Sequence, residues 1–209
     1  MDFLIQIDKI RDLVQKYKYL KDSKKINNYN EEETKKDFIL PLFEALGWNV
    51  HDKYEVSAEE KQSDGRVDYG FYLDGRTKFF LEAKSLKADL HREEFANQAV
   101  RYSWNKDVTW AVLTDFESIK VFNAQVISEN LGNKLFFEIS WDQYLDRIEQ
   151  LSFLSREAFQ NDVLDKVAEK YGKKLQKISI GNMLYKDLNE CRKLLTEPFS
   201  AWNPKVDND

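Results

Sequence analysis

The sequence predicts an α/β protein, a mixed central sheet flanked by helices, with a C-terminal helical appendage. Three observations carry this expectation. Residues 67 to 73 alternate apolar and polar side chains as a half-buried strand does, and residues 108 to 114 (VTWAVLT) form the nearly continuous apolar run of a strand covered on both faces. Amphipathic helical repeats precede these strands and lie between them. Beyond Ser140 only helical patterns follow.

Composition narrows the class. At 209 residues the chain exceeds one ordinary domain and is short for two. Apolar residues make up 42% and aromatic residues 14%, ample for a packed core and incompatible with a disordered chain. Only 7 Gly and 3 Pro are present, which excludes collagen-like and turn-dense small β folds and favours long elements with short loops. The lone Cys191 has no disulfide partner, and with 2 His it cannot build a structural zinc site, so a reducing, cytoplasmic setting is expected. Lys9, Arg11, Lys16 and Lys18 interrupt the first twenty residues, so no signal peptide, membrane span or membrane partner is expected. A net charge of −5 argues against a dedicated nucleic-acid-binding module whose basic face supplies the affinity.

The elements follow in order. Phe3, Ile7, Ile10, Val14 and Tyr17 recur at helical spacing, and residues 21 to 30 read as a polar loop. Asn30 with Glu33 forms a capping-box signature that opens a second helix running towards Leu46 and stopping at Gly47. Pro41 falls inside that helix, where it costs roughly 3 kcal/mol unless a bend accommodates it. An extended stretch is expected over 48 to 56 and a polar loop over 57 to 64. Asp74-Gly75 turns the strand of residues 67 to 73 into a returning strand over 77 to 86. A helix over 88 to 104, strands over 108 to 114, 118 to 122 and 135 to 139, and helices over 141 to 151, 161 to 171 and 182 to 195 complete the chain. The expected domains are an N-terminal helix and loop (1 to 29), a core (30 to 150) and a helical connector (151 to 209).

The chemistry concentrates on the hairpin. Glu82 and Lys84 stand two apart on one strand and share a face, while Asp68 lies on the other strand. A three-residue loop ending in Gly75 pairs Asp68 with Phe80 and leaves both carboxylates on one face; a two-residue Asp74-Gly75 turn pairs it with Leu81 and separates them. Convergence therefore requires the odd-length loop or a bulge. Two carboxylates brought together repel unless a cation joins them, and hard oxygen ligands suit Mg²⁺. A lysine beside such a metal can position the attacking water and stabilise charge growing on a phosphate. Gln98 and Tyr102, one helical turn apart, can face the same place.

The order Asp68, thirteen residues, Glu82-Ala83-Lys84, then Gln98-Ala-Val-Arg-Tyr102 resembles the PD-(D/E)XK nucleases of the RecB-like branch, which carry a Q-x-x-x-Y helix. Residues 31 to 35 (EEETK), 38 to 43 (FILPLF) and Leu46-Gly-Trp48 look like the opening helix of restriction-enzyme nuclease domains. This similarity spans about residues 30 to 125. It implies a restriction-endonuclease-like fold and a Mg²⁺-dependent DNA endonuclease in which metal-activated water attacks in line, without a covalent intermediate. It further implies Asp68, Glu82 and the carbonyl of Ala83 as metal ligands, Lys84 serving the water and Gln98 supporting Lys84. A glutamate of the opening helix often approaches the metal in these enzymes; among Glu31, Glu32 and Glu33, spacing from Gly47-Trp48 favours Glu33. Val67 stands where the family name has Pro.

Two kinds of restriction enzyme carry such a block at the N terminus. One is the type I restriction enzyme R protein, followed by a DNA translocase motor and working with modification and specificity subunits. The other is a type II enzyme fused to an adenine methyltransferase, whose helical connector the tail (residues 183 to 188 and 202 to 204) resembles. On either reading the chain looks like a fragment acting on DNA beside a downstream domain. Two other readings are a freestanding structure-specific nuclease and a catalytically silent DNA-binding or docking module of the same fold.

Overall fold

The computed structural model describes residues 5 to 62, 65 to 172, 188, 190 and 191, with side chains placed outside 59 to 66. Met1–Lys174 form one compact unit and Leu175–Asp209 a second. The helix expected over 182 to 195 and the start of the first helix at Phe3 fall largely outside the described residues; Cys191 is exposed.

Helix α1 (Ile7–Asp22) buries Ile10 and Tyr17 of the expected stripe, together with Leu20, while Val14 is half-buried and Ile7, at the helix start, is exposed. The second helical stretch opens with the predicted capping box: the Asn30 side chain accepts the Glu33 N–H, and the Glu33 carboxylate accepts the Asn30 N–H. It runs as α2 (Glu31–Thr34), a π-helical turn (Lys35–Ile39) and α3 (Leu40–Ala45). The π turn is how Pro41 is accommodated. Proline cannot donate to the carbonyl four residues back and would clash with it. That carbonyl, of Asp37, instead accepts the Lys16 ammonium at 3.3 Å. Gly47, at φ 93, ends the helix as expected.

Six strands follow in sheet order β1 (Val56–Gln62), β2 (Gly65–Leu73), β3 (Arg76–Ala83), β4 (Trp110–Thr114), β5 (Ser118–Asn123) and β6 (Leu135–Ser140). Only β3 and β4 run parallel, and α4 (Glu93–Asn105) makes the crossover between them. The fold is the mixed α/β sheet with flanking helices that the sequence predicts, compatible with a restriction-endonuclease-like fold.

Several boundaries differ from expectation, and β3 ends at Ala83 instead of residue 86. Residues 48 to 55 are turns, and the strand lies where a polar loop is predicted. Since β1 is an edge strand pairing only with β2, it needs no apolar alternation, and periodicity cannot reveal it. Helix α4 starts at Glu93 instead of residue 88 because turns at Ala88 and Arg92 use the preceding backbone. The helix expected over 141 to 151 breaks into a 3₁₀ turn (Trp141–Gln143) and α6 (Ile148–Leu151). After a further 3₁₀ turn, Ser155 caps α7 (Arg156–Gln160), and Asp162, at φ 51, resets the chain before α8 (Val163–Lys170). Short α5 (Leu131–Lys134) precedes β6.

The sheet separates two packed layers. Phe71, Phe79, Leu81 and Ala83 join Phe43 and Trp48 in the larger core, where Trp48 also donates to the Leu154 carbonyl at 2.8 Å. On the other face Phe80 meets Tyr102 of α4 edge to face, with Val67 and Val108 in the same cluster. Consecutive residues of β3 therefore face opposite layers, which sends Glu82 towards the α4 side with Phe80.

Candidate active site

The hairpin turn has two residues, Asp74 and Gly75, both at positive φ (51° and 70°), the conformation of a type I′ turn. Taken alone, its register from Leu73↔Arg76 and Tyr72↔Thr77 would pair Asp68 with Leu81 and separate the carboxylates. A bulge intervenes. The next pair is Phe71↔Phe79, leaving Lys78 as the extra residue, and the ladder continues through Gly70↔Phe80 and Tyr69↔Leu81. Just past the end of this ladder Asp68 comes close enough to Glu82 for its charge to act on that carboxylate.

At that point Asp68 holds the hairpin directly. Its Oδ2 accepts the Ala83 N–H at 2.8 Å, and its Oδ1 accepts from the Lys35 ammonium at 2.6 Å. Glu82 is 3% exposed. Its Oε1 takes the Lys84 ammonium at 2.5 Å, while its Oε2 is buried with no hydrogen-bond partner. Burial pushes the Glu82 carboxyl up to about 7; Asp68 and Glu31 repel its charge in the same direction, against the pull of Lys84. The backbone N–H of Lys84 donates to the Thr114 carbonyl at 2.8 Å, and its ammonium sits 4.8 Å over the Phe95 ring of α4.

Phe95, Gln98 and Tyr102 follow one another at helical spacings of three and four, so they form a stripe on α4. Phe95 touches Lys84 and Tyr102 touches Phe80, which sets the stripe over the Phe80–Lys84 segment. Tyr102 is buried and Gln98 exposed.

The opening helix contributes differently from the expectation placed on Glu33. That carboxylate is engaged at the capping box. Glu31 and Glu32 instead each meet the Lys35 ammonium at 2.9 Å, and Lys35 joins them to Asp68. Thr34 Oγ1 accepts the Leu86 N–H at 3.2 Å and fixes the helix start to the chain just past Lys84. Lys35 has no role in the sequence reading, although its side chain is only 7% exposed. Burial pulls its ammonium pKa down, but the hydrogen bonds it donates to Asp68, Glu32 and Glu31 outweigh that and hold it well above the ordinary lysine range. The signal was present as Glu31 and Glu32 at four and three residues before a lysine, a spacing that equally describes a solvated helix face.

Among the described residues no three acidic, imidazole or thiol side chains form a ready metal cage. Mg²⁺ does not require one, since it binds through one or two carboxylates and keeps its waters. Asp68, Glu82 and the Ala83 carbonyl are a donor set of that kind, and the partnerless, buried Glu82 Oε2 is an acceptor that a cation would satisfy.

The chain is similar to the type II restriction enzyme and methyltransferase RM.Eco57I of Escherichia coli, 26% identical over 210 residues. The match covers 92% of this chain and 21% of that protein's length. No family model and no solved structure matches the chain. No helix among the described residues is long and apolar enough to cross a membrane.

Proposed function

We propose that this chain is the endonuclease part of a restriction enzyme, hydrolysing DNA phosphodiesters with Mg²⁺ through a PD-(D/E)XK-type site. The observation that carries the reading is the bulged hairpin, beyond whose ladder Asp68 accepts the Ala83 N–H and acts on the Glu82 carboxylate beside Lys84, with a buried Glu82 oxygen left without a partner. Similarity to RM.Eco57I supports the restriction setting and favours the fused type II arrangement over the type I R protein. In that arrangement a downstream methyltransferase domain is the partner, the connector falls within residues 151 to 209, and the protein works on DNA in the cytoplasm.

Asp68, Glu82 and the Ala83 carbonyl would hold the ion, which when bound lowers the pKa of a water and offsets charge on the phosphate. Glu82 must be ionised for this, and its elevated pKa makes it an acceptor that gains most from a neighbouring positive charge. Lys84, held between Glu82 and the Phe95 ring, donates to the attacking water or to a phosphate oxygen and stabilises the charge developing there. Gln98, on the stripe over this segment, supports Lys84 or a phosphate. Since the chain carries 32 basic against 37 acidic residues, recognition of a DNA sequence is assigned to other parts of the enzyme.

The test is substitution in the complete enzyme. Asp68→Ala, Glu82→Ala and Lys84→Ala should each abolish cleavage while methylation persists. Retained cutting by Glu82→Ala would mean that the metal is held elsewhere.

A further inference from the structure

We propose that Lys35 is a built-in cation of this acidic cluster that competes with a divalent metal for Asp68 and so sets how tightly the site takes metal. The inference rests on the reading of Asp68 and Glu82 as metal-holding carboxylates. Asp68 has two oxygens, and Oδ2 is committed to the Ala83 N–H. The other, Oδ1, is the oxygen that the Lys35 ammonium holds at 2.6 Å, so a cation approaching Asp68 from that side meets the ammonium.

The helix builds this contact deliberately into its first turns. Glu31 and Glu32 precede Lys35 by four and three residues and share its face, so the ammonium is gripped from its own helix as well as from β2. The π-helical turn begins at Lys35 itself. Irregular helical turns of this kind recur at functional sites because they re-aim a side chain.

Charge counting makes the competition specific. With Glu82 ionised, Glu31, Glu32, Asp68 and Glu82 face the two ammoniums of Lys35 and Lys84, an excess of two negative charges that one divalent cation would balance. The buried, partnerless Glu82 Oε2 is the point from which such a cation would be drawn in. A dication on Asp68 Oδ1 and an ammonium at hydrogen-bond distance from the same oxygen repel strongly. Lys35 has a retreat, because Glu31 is 42% and Glu32 81% exposed and both can follow the ammonium outward. Metal uptake thus includes moving Lys35 off Asp68 onto the two glutamates.

The experiment measures divalent binding itself, with Mn²⁺ and Ca²⁺ titrated calorimetrically into the protein and the metal-induced shift in melting temperature followed in parallel. Lys35→Met and the milder Lys35→Gln should bind either ion about tenfold more tightly or better, whereas Lys35→Arg, which keeps the charge, should stay near the wild type. Unchanged or weaker binding by both neutral variants would overturn the proposal, since a lysine that merely positions Asp68 has to be missed when removed. Asp68→Asn and Glu82→Gln separate this from the reading beneath it. If they leave divalent binding intact, the metal site itself is wrong and the role of Lys35 falls with it; if they abolish binding while the neutral Lys35 variants gain nothing, only the Lys35 proposal fails.

Discussion

Replacing Glu82 by glutamine should stabilise the protein at neutral pH, in proportion to the cost of keeping this carboxylate ionised in the core. Its carboxyl rises from 4.5 to about 7 on folding, chiefly by burial. At ~1.4 kcal/mol per pKa unit, that amounts to about 3 kcal/mol. The sign follows from proton counting. Between the two values the folded state keeps a proton that the unfolded chain has released, so stability is fully present below the unfolded value and falls as pH rises towards about 7. Glu82→Gln cannot lose that proton. The stability difference, variant minus wild type, should grow from near zero at about pH 4.5 to about 3 kcal/mol by about pH 8. Asp115, which burial also pushes up to about 7, titrates in both proteins and cancels in the difference. Urea unfolding in EDTA, followed by the fluorescence of buried Trp48 and Trp110, measures it. A difference that is flat with pH, or a wild type more stable than the variant at about pH 8, would refute the argument.

Three further outcomes are expected. Trp48→Ala removes a ring packed on Phe71, Phe79 and Phe159 and should lower stability by roughly 3–5 kcal/mol in the same unfolding assay. Asn30→Ala breaks the capping box and should cost about 1 kcal/mol, and Glu33→Gln should leave calorimetric divalent affinity unchanged, because its carboxylate serves the cap. This chain alone should bind random duplex DNA weakly at physiological salt and cut it poorly with Mg²⁺, since it carries five more acids than bases; sub-micromolar binding with efficient cutting would favour a freestanding nuclease.

Much of the scaffold was legible because it obeys simple periods. Ile10 and Tyr17 of α1 bury where their spacing predicts, and β4 is buried along its whole length as its apolar run requires. The capping box at Asn30 and Glu33 formed as its signature demands. What escaped has a physical reason in each case. Edge strand β1 pairs on one side only, so its sequence is free to be polar. Ser155 and Asp162 divide the C-terminal helices through a cap and a positive φ, features that leave little mark on hydropathy. Lys35 escaped because a buried and an exposed lysine have the same spacing from their glutamates, and only the arrival of Asp68 from another element distinguishes them.

Two single-residue irregularities govern the candidate site, and both work by defeating a regular period. Without the extra residue Lys78, this two-residue turn would set Asp68 opposite Leu81 and put the carboxylates on different faces, since a shift of one residue exchanges the faces of a strand. Without the π turn, Pro41 would drive its ring into the Asp37 carbonyl, and the helix would bend or break near the place where Lys35 must reach Asp68. Each irregularity also meets a residue outside its own element: Lys78 lies 3.8 Å from Asp162, and the Asp37 carbonyl accepts from Lys16. The contacts that hold the site from outside the hairpin are the buried ones of the opening helix, Lys35 to Asp68 and Thr34 to the Leu86 N–H.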